Sequence, residues 1–168
     1  MAKAKRKKPR PGRPLPEVQA ALVCDNVIQA QDGKHTVVSI YDTLTVRSPT
    51  ETMLPGIAEF VVFVGLKAGD ARGRRTVKIL GMNPDGNKEF EHQSDITFGK
   101  NPSGHMITMR ARLFVSKAGL YWFHIIVDGQ QLTRIPLLIR FERQIEKQDS
   151  AAEAKKRKSP KRKPLKKK

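Results

Sequence analysis

A single cysteine, Cys24, is present among 168 residues. One thiol cannot close an internal disulfide or supply a cysteine-based zinc site, and its solitude agrees with a reducing compartment. No apolar run approaches the ~20 residues that a membrane-spanning helix needs. The basic N-terminus leads into Pro14-Leu15-Pro16 and Glu17 where a secretory leader would carry an apolar segment, so the expected location is cytoplasmic, with nucleoid association as a variant. Acidic and aromatic residues are both missing from residues 1–16 and 155–168. Without aromatics these ends cannot stack on bases, which disfavours sequence-specific recognition of single strands.

What the ends do hold is positive charge. Lys3, Lys5, Arg6, Lys7, Lys8, Arg10 and Arg13 occupy the first segment; Lys155, Lys156, Arg157, Lys158, Lys161, Arg162, Lys163, Lys166, Lys167 and Lys168 occupy the last. These seven and ten bases equal the formal net charge of +17, leaving 16 bases against all 16 acids between Glu17 and Ala154. The body is therefore neutral. The ends also have almost nothing to bury, so disorder is expected over 1–16 and 155–168, with a polar linker or short helix over 143–154.

Between them the pattern has period two. Ile107, Met109, Ala111, Leu113 and Val115 share one parity; so do Tyr121, Phe123, Ile125 and Val127, and then Ile135, Leu137, Ile139 and Phe141. This alternation marks half-buried strands, and predicts three consecutive antiparallel strands from His105 to Glu142. Asp128-Gly129 is a tight-hairpin signal. Earlier strands are expected over Glu17–Ala30, His35–Val46, Ile57–Lys67, around Thr76–Met82 and over Lys88–Phe98, with turns at Asp32-Gly33-Lys34 and Asn83-Pro84-Asp85-Gly86-Asn87. Ile57–Lys67 is apolar on both parities, the mark of a strand covered on both faces or of a subunit contact. About eight strands without a long amphipathic helix predict an all-β antiparallel β-sandwich over 17–142, with a small closed barrel as the other candidate.

Leu22-Val23-Cys24-Asp25-Asn26-Val27-Ile28, the Gly33 turn, Ile40-Tyr41-Asp42 and Asn83 to Phe90 resemble an uncharacterised bacterial family of small all-β domains of unknown function. Gly119-Leu120-Tyr121, Val127-Asp128-Gly129 and Ile135-Pro136-Leu137 look like the close of the same domain, similar to immunoglobulin-like folds. The resemblance covers roughly Val18 to Glu142 and implies a fold. It carries over no catalytic residue, because its motifs are turn and core positions.

Candidate chemistry is sparse. His35, His92, His105 and His124 lack metal-helix or knuckle spacing, and Cys24 lacks a flanking motif for a nucleophilic pair and reads as a small core residue. Asp25-Asn26 and Asp42 lie where a hairpin would bring them close, and turn hydrogen bonds explain them as well as calcium does. The loop Lys67 to Arg75 is glycine-rich and basic but lacks the phosphate-loop spacing and the helix that follows it. No catalytic, cofactor or metal site is expected, and the chain is expected not to be an enzyme. Trp122, His124 and Ile126 share the parity opposite to the core and form the expected partner face for a protein or a second copy.

The arms are the strongest signal. Pro9-Arg10-Pro11-Gly12-Arg13-Pro14 resembles an AT-hook whose Arg-Gly-Arg-Pro core is interrupted by Pro11, and Ser159-Pro160-Lys161-Arg162 resembles the Ser-Pro-basic-basic units of linker-histone tails. Lysine and arginine displace counterions from a polyanion without any motif. The expected function is non-specific binding of DNA or RNA backbone by the arms of a β-sandwich scaffold. The alternative is a protein- or ligand-binding sandwich whose arms serve only solubility or localisation.

Overall fold

The computed structural model describes residues 13–48, 56–99 and 104–143. They form nine strands: β1 (Glu17–Gln29), β2 (His35–Ile40), β3 (Thr43–Ser48), β4 (Gly56–Lys67), β5 (Gly73–Met82), β6 (Lys88–Phe98), β7 (Gly104–Val115), β8 (Gly119–Val127) and β9 (Gln130–Arg143). The expected sandwich is the fold observed. A four-stranded sheet, β2-β1-β4-β7, faces a five-stranded one, β3-β9-β8-β5-β6. The expected disorder of 1–12 and 155–168 and the linker or helix over 144–154 lie outside the described residues.

Alternation decides which side chains enter the interior. Tyr121, Phe123, Ile125 and Val127 of β8 are buried, as are Ile135, Leu137 and Ile139 of β9 and Leu113 and Val115 of β7. They meet Phe60, Val62, Val64 and Leu66 of β4 in one core. Full burial of each such side chain contributes about 1.5–3 kcal/mol, so this layer supplies most of the drive to fold. Phe123 is flanked by Phe60 and Phe90, with ring centroids 5.4 and 5.7 Å away. The Phe90 ring lies where Gly81 has no side chain; a Cβ there would sit 2.3 Å from it.

The turns form as their residues dictate. Asp128 and Gly129 both have positive φ, 49° and 82°, as a two-residue hairpin of this twist requires. Asn83 caps the β5–β6 turn, its Oδ1 accepting from the amides of Asp85 and Asn87, while Gly86 takes φ 80°.

Two expectations are corrected. The single strand expected over His35–Val46 is two strands in different sheets. The chain leaves β1 after the Tyr41 amide donates to the Val23 carbonyl, then joins β9 when the Leu138 amide donates to the Asp42 carbonyl. Ser39, at φ 53°, turns the backbone ahead of the crossing, and β3 then pairs with β9 in parallel. The three strands from His105 onward are not neighbours either. β8 pairs with β9, whereas β7 pairs with β4 in the facing sheet, so Ser116–Ala118 carries the chain from one layer to the other.

Candidate functional site

Part of the charge on the body is paired. Arg74 pairs with Asp95, Lys78 and Lys88 with Glu91, Arg112 with Glu59, Lys117 with Asp85 and Lys34 with Asp32. These pairs are solvent-exposed to varying degrees and contribute little to stability individually. In the body bases thus occur interspersed with acids, whereas residues 1–16 and 155–168 hold bases and no acid.

The arm roots have defined positions. Arg75, 2% exposed, opens the inner face of β5 and donates from Nη1 to Asp128 Oδ2 at 2.8 Å. Its Nη2 donates to the Pro14 carbonyl at 3.0 Å. The loop Lys67 to Arg75 thus ends in a clamp on the segment that enters β1, not in a phosphate cradle. Burial opposes ionisation of Asp128, but the Thr76 amide and the Arg75 guanidinium outweigh it and hold the carboxyl below its usual value. Arg13, the one basic arm residue within the described part, is exposed beside this clamp. β9 starts next to Asp128 and runs 14 residues to Arg143, a rise of roughly 40 Å. The described chain therefore begins, at Arg13, and ends, at Arg143, at opposite ends of the sandwich. The other predicted arm residues, Lys3 to Arg10 and Lys155 to Lys168, lie outside the described residues.

On the four-stranded sheet, β4 is covered on both faces, as its double apolar parity implies. Its outward residues Val61 and Phe63 are buried with Cys24 in a second cluster, against which Leu22, Val27 and Val37 pack. The cover is the β1–β2 hairpin itself. β1 pairs with β4 only as far as Cys24–Val61, and its far half then carries β2 back over the sheet, placing His35 6.0 Å from Phe63, centroid to centroid. Between the hairpin and the sheet lies an open cleft of about 1250 Å³, bordered by His35, Val37, Phe63, Lys67, Met106 and Thr108. Cys24 is fully buried; that burial, with Asp25 beside it, pushes its thiol pKa up. A buried thiol with a raised pKa is a poor nucleophile.

Trp122, His124 and Ile126 lie on the outer face of the five-stranded sheet, each half-buried. The Arg134 guanidinium sits 4.1 Å from the Trp122 ring centroid and caps it. His124 Nδ1 hydrogen-bonds Gln131 Oε1 at 2.6 Å. The histidines are dispersed: His105 Nε2 lies 2.7 Å from the Thr97 carbonyl with its ring against Phe98, and His92 is exposed on β6. Asp25 accepts from the Tyr41 hydroxyl at 3.2 Å. Among the described residues no group of three or more His, Cys, Asp or Glu is placed to hold a metal ion, and no helix is long and apolar enough to cross a membrane.

The clamp and the cleft were missed in the sequence. Arg75 sits among other arginines with nothing to single it out, and no local pattern shows that a hairpin will double back.

Comparison with known proteins places the chain in a family without assigning an activity. No curated protein matches it. Among solved structures, an immunoglobulin-like protein from Pseudomonas aeruginosa is 13% identical, with a TM-score of 0.40 over 77% of this chain and 100% of that one. The Pseudomonas fluorescens alkylpurine DNA glycosylase AlkC, bound to DNA containing an abasic site analogue, is 9% identical, with a TM-score of 0.39 over 74% of this chain and 30% of that one. Residues 19–140 match the sequence profile of the Family of unknown function (DUF6941), and the chain belongs to it.

Proposed function

We propose that this is a non-enzymatic nucleic-acid-binding protein of the cytoplasm or nucleoid, whose β-sandwich carries two basic arms that grip DNA or RNA backbone with little sequence preference. The observation that carries this reading is the segregation of charge: all of the +17 excess resides in residues 1–16 and 155–168, while the body balances 16 bases against 16 acids. Each phosphate neutralised by such an arm releases condensed counterions, the dominant source of non-specific affinity. Two arms on one body can engage one polymer at two places, so that the second contact forms at high effective concentration. Deletion of residues 1–12 and 144–168 should abolish the shift of a random-sequence duplex in a gel while leaving the β-sheet circular dichroism intact. Undiminished binding by the trimmed body would sink the reading.

A second reading, protein binding by the body, is favoured by the cleft of about 1250 Å³ beneath the β1–β2 hairpin. That volume exceeds the range usual for small-molecule pockets and opens beside a sheet edge, which suits a segment of polymer better than a metabolite.

A further inference from the structure

We propose that the free edge of β7 and the adjoining cleft receive an extended acidic segment of a partner protein, which adds to the four-stranded sheet as a fifth strand. The proposal deepens the protein-binding reading and is independent of the arms. It rests on the kind of edge that β7 presents.

β7 pairs with β4 through twelve consecutive register positions without a bulge and contains no proline. It is an outer strand of its sheet, and among the described residues no strand pairs with its other side. The remaining outer strands are poorer templates. β2 and β3 have six residues each, and β6 carries three acids among its eleven residues, with a register shift where it meets β5. A long regular edge exposes a row of unpaired amides and carbonyls that another extended chain can complete.

The side chains along that edge select the occupant. Outward from the sheet β7 presents Met106, Thr108, Arg110, Arg112 and Phe114 in succession, with Phe114 65% exposed. Arg112 already pairs with Glu59. Arg110 has neither ion pair nor hydrogen bond among the described residues, and it borders a second groove of about 480 Å³ whose two acids are already engaged, Glu59 by Arg112 and Asp25 by the Tyr41 hydroxyl. At the other end Lys67 and His105 line the larger cleft. An added strand therefore meets apolar surface at Met106 and Phe114 and, between them, the unpaired guanidinium of Arg110. A strand of apolar residues alternating with acids, one of them opposite Arg110, satisfies that pattern.

The same arginines reject a second copy of this chain. Residues opposed in an antiparallel pair point to the same face, so β7 pairing with itself about Arg110 or Ala111 sets Arg110 against Arg110 or Arg112. A net charge of +17 on each copy adds repulsion at longer range.

The test uses the full chain and three labelled ten-residue peptides: alternating Val and Glu, alternating Val and Lys, and the Val-Glu peptide N-methylated at every residue, so that neither of its edges can donate. The expected result is binding of the Val-Glu peptide with amide-exchange protection over residues 106–114. The N-methylated and Val-Lys peptides give no such protection, because the first lacks the edge donors and the second has the wrong charge. Arg110→Glu is expected to weaken Val-Glu binding by about fivefold or more. Thr108→Val, which keeps all charges, is expected to leave it within about twofold. Equal binding of plain and N-methylated acidic peptides would show that the basic arms capture the charge alone, and overturns the proposal. So does absence of protection in β7 at millimolar peptide, and so does protection of β7 that grows with protein concentration in the absence of peptide, which assigns the edge to a second copy.

Discussion

His35 and Phe63 lie ring to ring, 6.0 Å between centroids, although β1 stands between their strands in the order of the sheet. Only a hairpin that folds back over its own sheet brings them together. That fold explains why Val61 and Phe63 are buried on a face that a simple four-stranded sheet would leave open, and why Cys24 is inaccessible.

Cys24 should therefore report on the hairpin. In the native protein its reaction with a disulfide reagent is expected to be at least tenfold slower than in denaturant, because the thiol is buried and its pKa raised. Val37→Asp inserts a charge into the covering cluster and should speed native-state labelling while the core of Phe123 and Ile125 stays folded. Equal labelling of wild type and variant would contradict the cover.

The Arg75–Asp128 clamp predicts a dependence on acid. A carboxyl held below its ordinary value stabilises the fold in full above the unfolded value and loses that contribution as pH falls through the folded one. Stability should thus decline below about pH 4, and Asp128→Asn should flatten part of that decline. Asn tolerates the positive φ at this turn, and its amide oxygen can still accept from the Thr76 amide. The expected loss at neutral pH is about 1–3 kcal/mol, discounted from a fully buried pair because Asp128 is one-third exposed. Denaturant melts at pH 7 and pH 3 measure both quantities.

At Gly81 the Phe90 ring occupies the space of a Cβ. Gly81→Ala should displace that ring from its contact with Phe123 and cost about 1–3 kcal/mol, seen as a lower denaturant midpoint with an unchanged slope.

Trp122 gives an independent optical test. Removing its guanidinium cap with Arg134→Ala should shift the indole emission to the red and lower stability by about 0.5–1 kcal/mol. An unshifted spectrum would mean that the cap is not held in solution.

The sequence discloses what is periodic and hides what is topological. The core faces of β7, β8 and β9 follow from alternation, and the Asp128-Gly129 hairpin from the chemistry of two residues. The double parity of β4 correctly implied cover on both sides. Its source was invisible, because a strand that folds back on its sheet keeps the same local pattern as a straight one. The break between β2 and β3 was missed for a related reason: Tyr41-Asp42 contains neither glycine nor proline, and the crossing is made by hydrogen bonds to Val23 and Leu138, remote in sequence. The parallel pairing of β3 with β9 has no local signature at all. Arg75 shows the converse limit, since a buried arginine looks like its exposed neighbours until the segment it holds is known.

The most direct measurement is the salt dependence of binding to a random-sequence duplex by the full chain and by full-length variants with the lysines and arginines of one arm, or of both, replaced by glutamine. The natural chain is expected to show a steep log-log slope, about 0.9 per phosphate neutralised, reduced in either single-arm variant and nearly flat when both arms are neutral. A slope unchanged when both arms are neutralised would place the polyanion contact on the body and contradict the account.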